Sequence, residues 1–190
     1  MANKVLFGFS DLYIGTYTEE LDGSVTMGKP YHQPGAVGFN AEDQSSDYKF
    51  YADNVTYFSY YTSGTYEGDL TVAMFDDEFK KQFLGYIELD DGGLAQLKNA
   101  IKPNVYMAFE VQGDKEARRI IFYNGSLGAI KREYATIEEN VEVKTEAIAT
   151  SFIGNNKNKI SMVAYKPGDS GYDTLFENPP APKLPESQSE

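Results

Sequence analysis

The residue types that usually carry catalysis are sparse in this sequence. It contains no cysteine and one histidine, His32, which stands in a segment rich in proline and glycine. A catalytic triad or a histidine-based metal site would depend on this one imidazole, with no partner placed beside it. We interpret His32 as a surface-loop residue. Patterns typical of phosphate loops, serine-hydrolase elbows and zinc-protease helices do not occur.

Carboxylates are abundant and often adjacent, as in Asp76-Asp77, Asp90-Asp91 and Glu138-Glu139. A glycosidase needs two carboxyl groups that face one cleft from separate elements, which adjacency in sequence does not provide. The first pair fits the start of a helix, and the others fit solvated loops. The run from Asp90 to Gly93 lacks the spaced oxygen ligands of a known calcium loop. We predict no catalytic residue, metal site or cofactor; a hydrolase with an undetected carboxylate pair is the third-ranked hypothesis.

Aromatic residues carry the strongest functional signal. The chain has 15 tyrosines, 12 phenylalanines and no tryptophan. Tyrosine buries a large area while its hydroxyl stays hydrogen-bonded, so the cluster Tyr57, Phe58, Tyr60 and Tyr61 is favoured as an oligomer interface. The alternative is a carbohydrate-binding module in which Tyr57, Tyr60 and Tyr61 stack on sugars. The polar and aromatic segment Gln44–Thr65 is too long for a hairpin turn, and we expect a loop that reaches a neighbouring subunit.

The charge balance excludes several classes of partner. There are 17 Lys+Arg against 29 Asp+Glu, a formal charge of -12. A surface this acidic repels phosphate, which argues against wrapping nucleic acid or docking on an anionic membrane.

The sequence contains no run of about 18 apolar residues, which is the length that could span a bilayer. The first residues lack the apolar stretch of a signal peptide, so we expect synthesis and use in a cytoplasm.

One helix is predicted from local signals, at about Asp76–Leu84. Asp76 can cap the helix, and the acidic residues after it complement the helix dipole. Phe75, Phe79 and Phe83 repeat every four residues and form one apolar stripe. Gly85 can adopt the left-handed conformation that ends a helix. The segment Leu94–Ile101 fits either a helix or a loop.

The rest of the chain reads as short strands joined by turns. Asn124-Gly125 predicts a hairpin between Arg118–Tyr123 and Ser126–Ile130. Val141–Ile153 and Ile160–Tyr165 predict a second hairpin. Alternation in the first of these strands predicts an apolar face and a polar face. The apolar face comprises Val141, Val143, Ala147 and Ala149, and the polar face Glu142, Lys144, Glu146 and Thr150.

These elements predict a mainly β protein, a β-sandwich or barrel-like fold with one flanking helix. One domain is expected over residues 1–177. Residues 178–190 are rich in proline and poor in apolar side chains, so a flexible C-terminal tail is expected there. Open sheet edges in such a fold invite pairing with other strands, and pairing with identical copies is one way to close them.

The order of segments resembles the major tail tube proteins of long-tailed bacteriophages. The resemblance starts at Tyr51-Ala52-Asp53, continues through the alternating strand and the helix ending Phe83-Leu84-Gly85, and includes Asn104–Phe109 and Phe122–Gly125. Glu133-Tyr134, a strand of the Thr145–Phe152 type and a final hairpin complete it. It covers roughly Val5 to Tyr165, and its motifs are short patterns in a fixed order.

The resemblance implies a structural virion protein made in the host cytoplasm. Six copies would form a ring whose inner strands join into one barrel, and stacked rings would form the tube that conducts DNA during ejection. Implied partners are further copies of the chain, the tape measure, the tail initiator and the tail terminator, with DNA passing through unbound. Carboxylates in the lumen would prevent DNA from sticking. Glu142 and Glu146, on the predicted polar face, are the lumen-facing candidates.

Overall fold

Strands dominate the computed structural model, which describes residues 8–52, 55–62, 64–112, 117–134 and 144–185. The prediction of a mainly β chain with a flanking helix is confirmed, and the division into two layers of a sandwich stays a prediction. The strands are β1 (Phe9–Glu19), β2 (Val25–Met27), β3 (Tyr31–His32), β4 (Ala36–Asp43), β5 (Ser46–Ala52), β6 (Val55–Thr62), β7 (Tyr66–Val72), β8 (Tyr86–Glu88), β9 (Leu94–Gln96), β10 (Val105–Val111), β11 (Arg119–Lys131), β12 (Glu146–Phe152) and β13 (Met162–Tyr165), with helix α1 (Asp77–Leu84) between β7 and β8.

Nine strands form one hydrogen-bonded sheet. Its order is β2-β1-β10-β11-β12-β7-β4, with β13 also beside β11 and β3 also beside β1. The strands β5 and β6 form a separate pair, as do β8 and β9. Every recorded pairing in the described residues is antiparallel. Antiparallel neighbours that follow one another in sequence, such as β1 and β2, can be joined by a short turn.

The central strand β10 is buried on both faces. Val105, Met107 and Phe109 belong to one apolar cluster, which helix α1 also joins. Tyr106 and Ala108 belong to a second cluster on the opposite face. A strand covered on both sides needs apolar residues on both of its faces, which explains the apolar run Val105–Phe109 in β10.

Helix α1 agrees with its sequence prediction. The Asp76 carboxylate accepts a 2.8 Å hydrogen bond from the Phe79 N–H, which satisfies a donor in the first turn. Gly85 ends the helix with φ 68°. At this angle a side chain would be strained, and a Cβ on Gly85 would also lie 2.7 Å from the Ala100 side chain.

The phenylalanine stripe of the helix is buried in the first cluster. The ring centroids of Phe75 and Phe79 are 4.7 Å apart, and those of Phe79 and Phe83 are 5.1 Å apart. Tyr31 packs against both of the last two rings and donates its hydroxyl hydrogen bond to Asp76. Burial, together with the Asp76 carboxylate, raises the pKa of Tyr31. One tyrosine therefore joins the helix cap to the core.

The predicted hairpin at Asn124-Gly125 is wrong. Strand β11 runs through this dipeptide, and Asn124 adopts φ 52° within it. The Asn124 side chain accepts a 2.9 Å bond from Asn104 Nδ2 and donates a 2.8 Å bond to the Gly154 carbonyl. These bonds stabilise Asn124 in the left-handed conformation inside the strand. The irregularity lets β11 pair with β13 before Asn124 and with β12 after it.

The predicted hairpin between the last two strands is also wrong, because β12 and β13 each pair with β11 rather than with one another. The sequence did not decide between a helix and a loop for Leu94–Ile101. In the structure, residues 94–96 form β9, which pairs with β8.

The C-terminal segment packs further along the chain than expected. Leu175 is fully buried in the second cluster, and Pro179 and Pro182 are buried as well. The Tyr123 hydroxyl donates a 2.9 Å bond to the Pro180 carbonyl, and Asn158 donates a 2.7 Å bond to that of Pro182. The packed region therefore continues past the predicted boundary at residue 178. The flexible tail stays a prediction from residue 183 onward, and residues 186–190 lie outside the described part.

Candidate self-assembly surface

Strands β5 and β6 form a projecting hairpin, which we call the arm. The β4–β7 pair ends where Asp43 pairs with Tyr66. The next residue, Gln44, donates its backbone N–H to the Thr65 carbonyl at 2.9 Å. The pairing of β5 with β6 begins beyond this bond. The arm thus prolongs β4 and β7 outside the main sheet. Seven strand residues span about 23 Å. The expectation that Gln44–Thr65 is a loop is therefore wrong, although the segment does leave the body of the subunit.

The arm exposes large apolar side chains. Tyr48 is 61 % exposed, Phe58 54 % and Tyr60 55 %. Tyr48 pairs directly with Tyr60, and the Phe58 and Tyr60 rings lie nearly parallel with centroids 6.5 Å apart. Alternation along β6 places Phe58 and Tyr60 on the same face. An exposed aromatic surface on a projecting element is typical of an interaction site.

The four aromatic residues singled out in the sequence do not share one face. Tyr57 and Tyr61 occupy strand positions of the opposite parity from Phe58 and Tyr60. Their side chains lie outside the described part of the structure. A sugar platform made of Tyr57, Tyr60 and Tyr61 together does not match this alternation, whereas an interface that uses Phe58 and Tyr60 does.

A second exposed apolar surface follows helix α1, and we call it the aliphatic patch. It consists of side chains on and beside the β8–β9 hairpin, namely Ile87, Leu89, Leu97 and Ile101. Ile87 and Leu89 point away from Glu88, which bonds to Lys81 at 3.3 Å. Ile101 is 95 % exposed.

Two sheet edges are open in the part of the sheet formed by β4, β7, β12 and the second half of β11. Within the described residues β4 pairs with β7 alone. The pairing of β10 with β11 ends at Val105 and Gly125, so in the described part of the chain β11 beyond Gly125 pairs with β12 on one side only. There, Lys102 Nζ donates to the carbonyls of Leu127 and Gly128. Burial lowers the pKa of Lys102.

The face of these four strands that points away from the core is acidic. Leu70 and Val72 of β7 are buried, so alternation turns Glu67 and Asp69 outward. Glu42 lies directly opposite Glu67. Like charges in this position destabilise a pair of strands, so these two carboxylates do not stabilise the fold. Asp69 forms a 2.7 Å ion pair with Lys131 on the same face.

Of the two lumen-facing candidates, Glu142 and Glu146, the structure describes only Glu146. Glu142 lies outside the described residues. Glu146 was expected to be exposed, but its side chain is only 16 % exposed and forms a 2.8 Å ion pair with Arg132. The apolar and polar faces of this strand are the reverse of the prediction, because Ile148 and Phe152 are buried and Ala149 is exposed. The large apolar side chains of Ile148 and Phe152 are the sequence signal that could have identified the buried face of this strand.

His32 lies exposed on β3 rather than in a loop, with its ring centroid 5.0 Å from that of Tyr13. Among the described residues, no group of three His, Asp or Glu side chains could hold a metal ion. No helix in the described ranges is long and apolar enough to cross a membrane.

Comparison with known proteins adds a family. The family described as "Phage tail tube protein" matches residues 2–118, more than half of the chain. No curated protein matches. A solved structure, the sheath–tube complex of an extracellular contractile injection system in its extended state, is similar over 82 % of this chain and 88 % of its own, at 11 % identity and a TM-score of 0.42. The resemblance found in the sequence is confirmed by the family match: the chain belongs to the phage tail tube protein family, and its role is that of a structural, non-enzymatic component of the virion.

Proposed function

We propose that six copies of this chain close into a ring, and that rings stack into the tube through which DNA leaves the phage during ejection. The observation that carries the proposal is the four-stranded part of the sheet with two open edges. One of its faces packs on the core, and the other presents carboxylates to solvent. Such an element can join its neighbours side by side into a barrel with an acidic interior.

The edge of β4 supports lateral joining. Natural edge strands are usually protected by lysine, proline or inward-facing charges. Strand β4 contains neither lysine nor proline in its eight residues. Val37 on this strand is 58 % exposed. An edge strand of this length without lysine or proline fits strand addition by a second copy.

The second half of β11 is the partner edge in this proposal. The ammonium of Lys102 occupies two of its carbonyl oxygens in the isolated subunit. Hydrogen bonds from an incoming β4 strand would replace this contact. Since burial already disfavours the charged form of Lys102, giving up the contact returns the ammonium to water. Lys102 therefore protects the edge until a neighbour arrives.

The acidic face supports the passage of DNA. Glu42, Glu67 and Asp69 lie on it against one lysine, Lys131. Carboxylates repel phosphates and leave no counterion release to drive binding. We therefore propose Glu42, Glu67 and Asp69 as lumen residues. Glu142 remains a candidate, whereas the ion pair of Glu146 favours a structural role for that residue.

Electron microscopy of the purified protein tests the proposal. We expect rings with six-fold class averages and tubes built from them. Val37→Lys places a charge on the β4 edge and should abolish rings while the melting temperature stays within about a degree, because the side chain is exposed. Leu21→Lys, at an exposed turn, is the matched control and should assemble normally. Parent protein that stays monomeric over a wide range of concentration and salt would overturn the proposal.

A further inference from the structure

The dipeptide Asn124-Gly125 stands where strand β11 changes partner, between its pairing with β13 and its pairing with β12. It is the one place in the sequence where glycine follows asparagine. In an unfolded chain this order is chemically labile, because the backbone nitrogen of a glycine has no Cβ beside it and can reach the carboxamide carbon of the preceding asparagine.

The fold favours both residues of this dipeptide. Asn124 has φ 52°, a conformation that asparagine adopts more readily than most residues. A Cβ on Gly125 would lie 2.3 Å from the ring of Phe152, which is itself buried, so only glycine fits there without repacking. The packing around β11 therefore keeps a labile dipeptide at a buried position of the main sheet.

In the folded subunit both ends of the Asn124 carboxamide are held. Its Oδ1 accepts a hydrogen bond from Asn104 Nδ2 at 2.9 Å, and its Nδ2 donates one to the Gly154 carbonyl at 2.8 Å. Asn124 is only 4 % exposed. Cyclisation would have to break both bonds and turn the carboxamide carbon onto the Gly125 nitrogen, at a point where β11 pairs with strands on both sides. We expect the folded state to suppress the reaction for this reason.

We propose that Asn124 is a deamidation site that becomes reactive only when the subunit unfolds. The Gly125 nitrogen forms a bond to Asn124 Cγ, the Cγ–Nδ2 bond breaks, and Nδ2 leaves as ammonia with the proton of the Gly125 N–H. Water then opens the cyclic imide and leaves aspartate or, when the other carbonyl is attacked, isoaspartate. The overall change converts an amide and water into an acid and ammonia, with no oxidation or reduction.

Either product disturbs the packing at this position. A carboxylate has no N–H to donate to the Gly154 carbonyl, and its charge would be buried beside that oxygen. Isoaspartate also lengthens the backbone of β11 at the residue where the strand changes partner. A subunit that stays unfolded therefore loses the ability to refold, whereas a folded subunit keeps the site intact. The site lies within one subunit, so its chemistry does not depend on ring formation.

Peptide mapping by mass spectrometry tests the proposal on the full chain. One sample is kept folded and another unfolded in guanidinium chloride, at the same pH and temperature. We expect conversion of the amide to the acid at Asn124 to be at least about a hundredfold faster in the unfolded sample, because opening a core strand costs most of the free energy of unfolding. Asn99, in an exposed turn and followed by alanine, is the internal control, and its two rates should be similar. Equal rates at Asn124 in both samples, or no conversion in the unfolded one, would overturn the proposal.

Refolding gives a second measurement. Partly converted protein is diluted out of denaturant, and we expect converted chains to be depleted on the order of tenfold in the folded fraction, because a buried charge disfavours folding. Asn124→Asp should melt well below the parent or fail to fold. Asn99→Asp adds the same charge at an exposed turn and should melt with the parent. Converted chains that refold in undiminished proportion, or an Asn124→Asp protein that melts with the parent, would overturn the loss of refolding.

Discussion

Glu146 Oε2 accepts a 2.8 Å hydrogen bond from the backbone N–H of Phe75, so strand β12 holds the entry into helix α1. The other oxygen of the same carboxylate pairs with Arg132 at 2.8 Å. One side chain thus connects the sheet, the start of the helix and a cation. This arrangement assigns Glu146 to the stability of the subunit.

Glu146→Ala should therefore lower the free energy of unfolding by about 2 kcal/mol, because both the hydrogen bond from the Phe75 N–H and the ion pair with Arg132 are lost. Urea unfolding of the monomer measures the change. Glu67→Ala is the control, since Glu67 lies on the open face opposite another carboxylate. It should leave stability unchanged or raise it slightly. Equal stability of Glu146→Ala and the parent protein would instead favour a role at a surface.

Phe83→Ala should destabilise the monomer by about 3–5 kcal/mol, because its ring is buried and the substitution leaves a cavity. Thermal unfolding at a concentration that prevents assembly isolates this effect. Phe58→Ala on the arm is the matched control and should not change the melting temperature. The assignment of the stripe to the core fails if Phe83→Ala alters only tube formation.

The helix could be predicted from sequence because all of its signals are local. Three turns of chain contain the cap Asp76, the four-residue repeat of Phe75, Phe79 and Phe83, and the Gly85 that ends the helix. The apolar run Val105–Phe109 in β10 is likewise a local signal, typical of a strand covered on both faces. In both cases the residues that decide the structure are neighbours in sequence.

Which strands pair with one another could not be predicted in this way. Asn-Gly favours a hairpin, but the bonds from Asn124 to Asn104 and Gly154 keep it inside β11. These partners are distant in sequence, so tertiary contacts override the local preference. The arm could not be predicted for a related reason: β5 and β6 pair with each other, and Gln44–Thr65 contains no Asn-Gly or Asp-Gly dipeptide to indicate a hairpin. Among the proposed assembly residues, Phe58 and Tyr60 were visible in the sequence, whereas the aliphatic patch was not.

The C-terminal segment offers a test with two truncations. Removing residues 183–190 should leave the melting temperature unchanged, because the described contacts end at Pro182. Removing residues 178–190 also removes the acceptor of the Tyr123 hydroxyl and uncovers part of the second cluster. A loss of about 2 kcal/mol would lower the melting temperature by about 4–8 °C for a chain of this size.

Differential scanning calorimetry compares the two truncations under the same conditions. Identical melting temperatures for both would mean that residues 178–182 contribute nothing to the fold. A lower temperature for the shorter truncation would show that the tail beyond Pro182 also packs.

The acidic face leads to a prediction about DNA. Glu42→Lys combined with Glu67→Lys changes the charge by four units per subunit and removes two carboxylates that oppose each other. Both side chains are exposed, so the variant should fold and assemble. If this face lines the channel, its tubes should retain DNA at low salt and release it as salt rises, because lysine contacts with phosphate release counterions. Parent tubes should retain none at either salt concentration.

A matched variant separates lumen charge from charge in general. Glu20→Lys and Asp22→Lys together change the net charge by the same amount on the turn between β1 and β2, away from the acidic face. Filter retention of labelled DNA by purified tubes of each variant gives the comparison. Retention by the Glu42 and Glu67 variant alone supports the assignment of this face to the lumen. Equal retention by both variants, or none by the first at low salt, would place Glu42 and Glu67 outside the channel, since only a residue that lines the path of the DNA can hold it there.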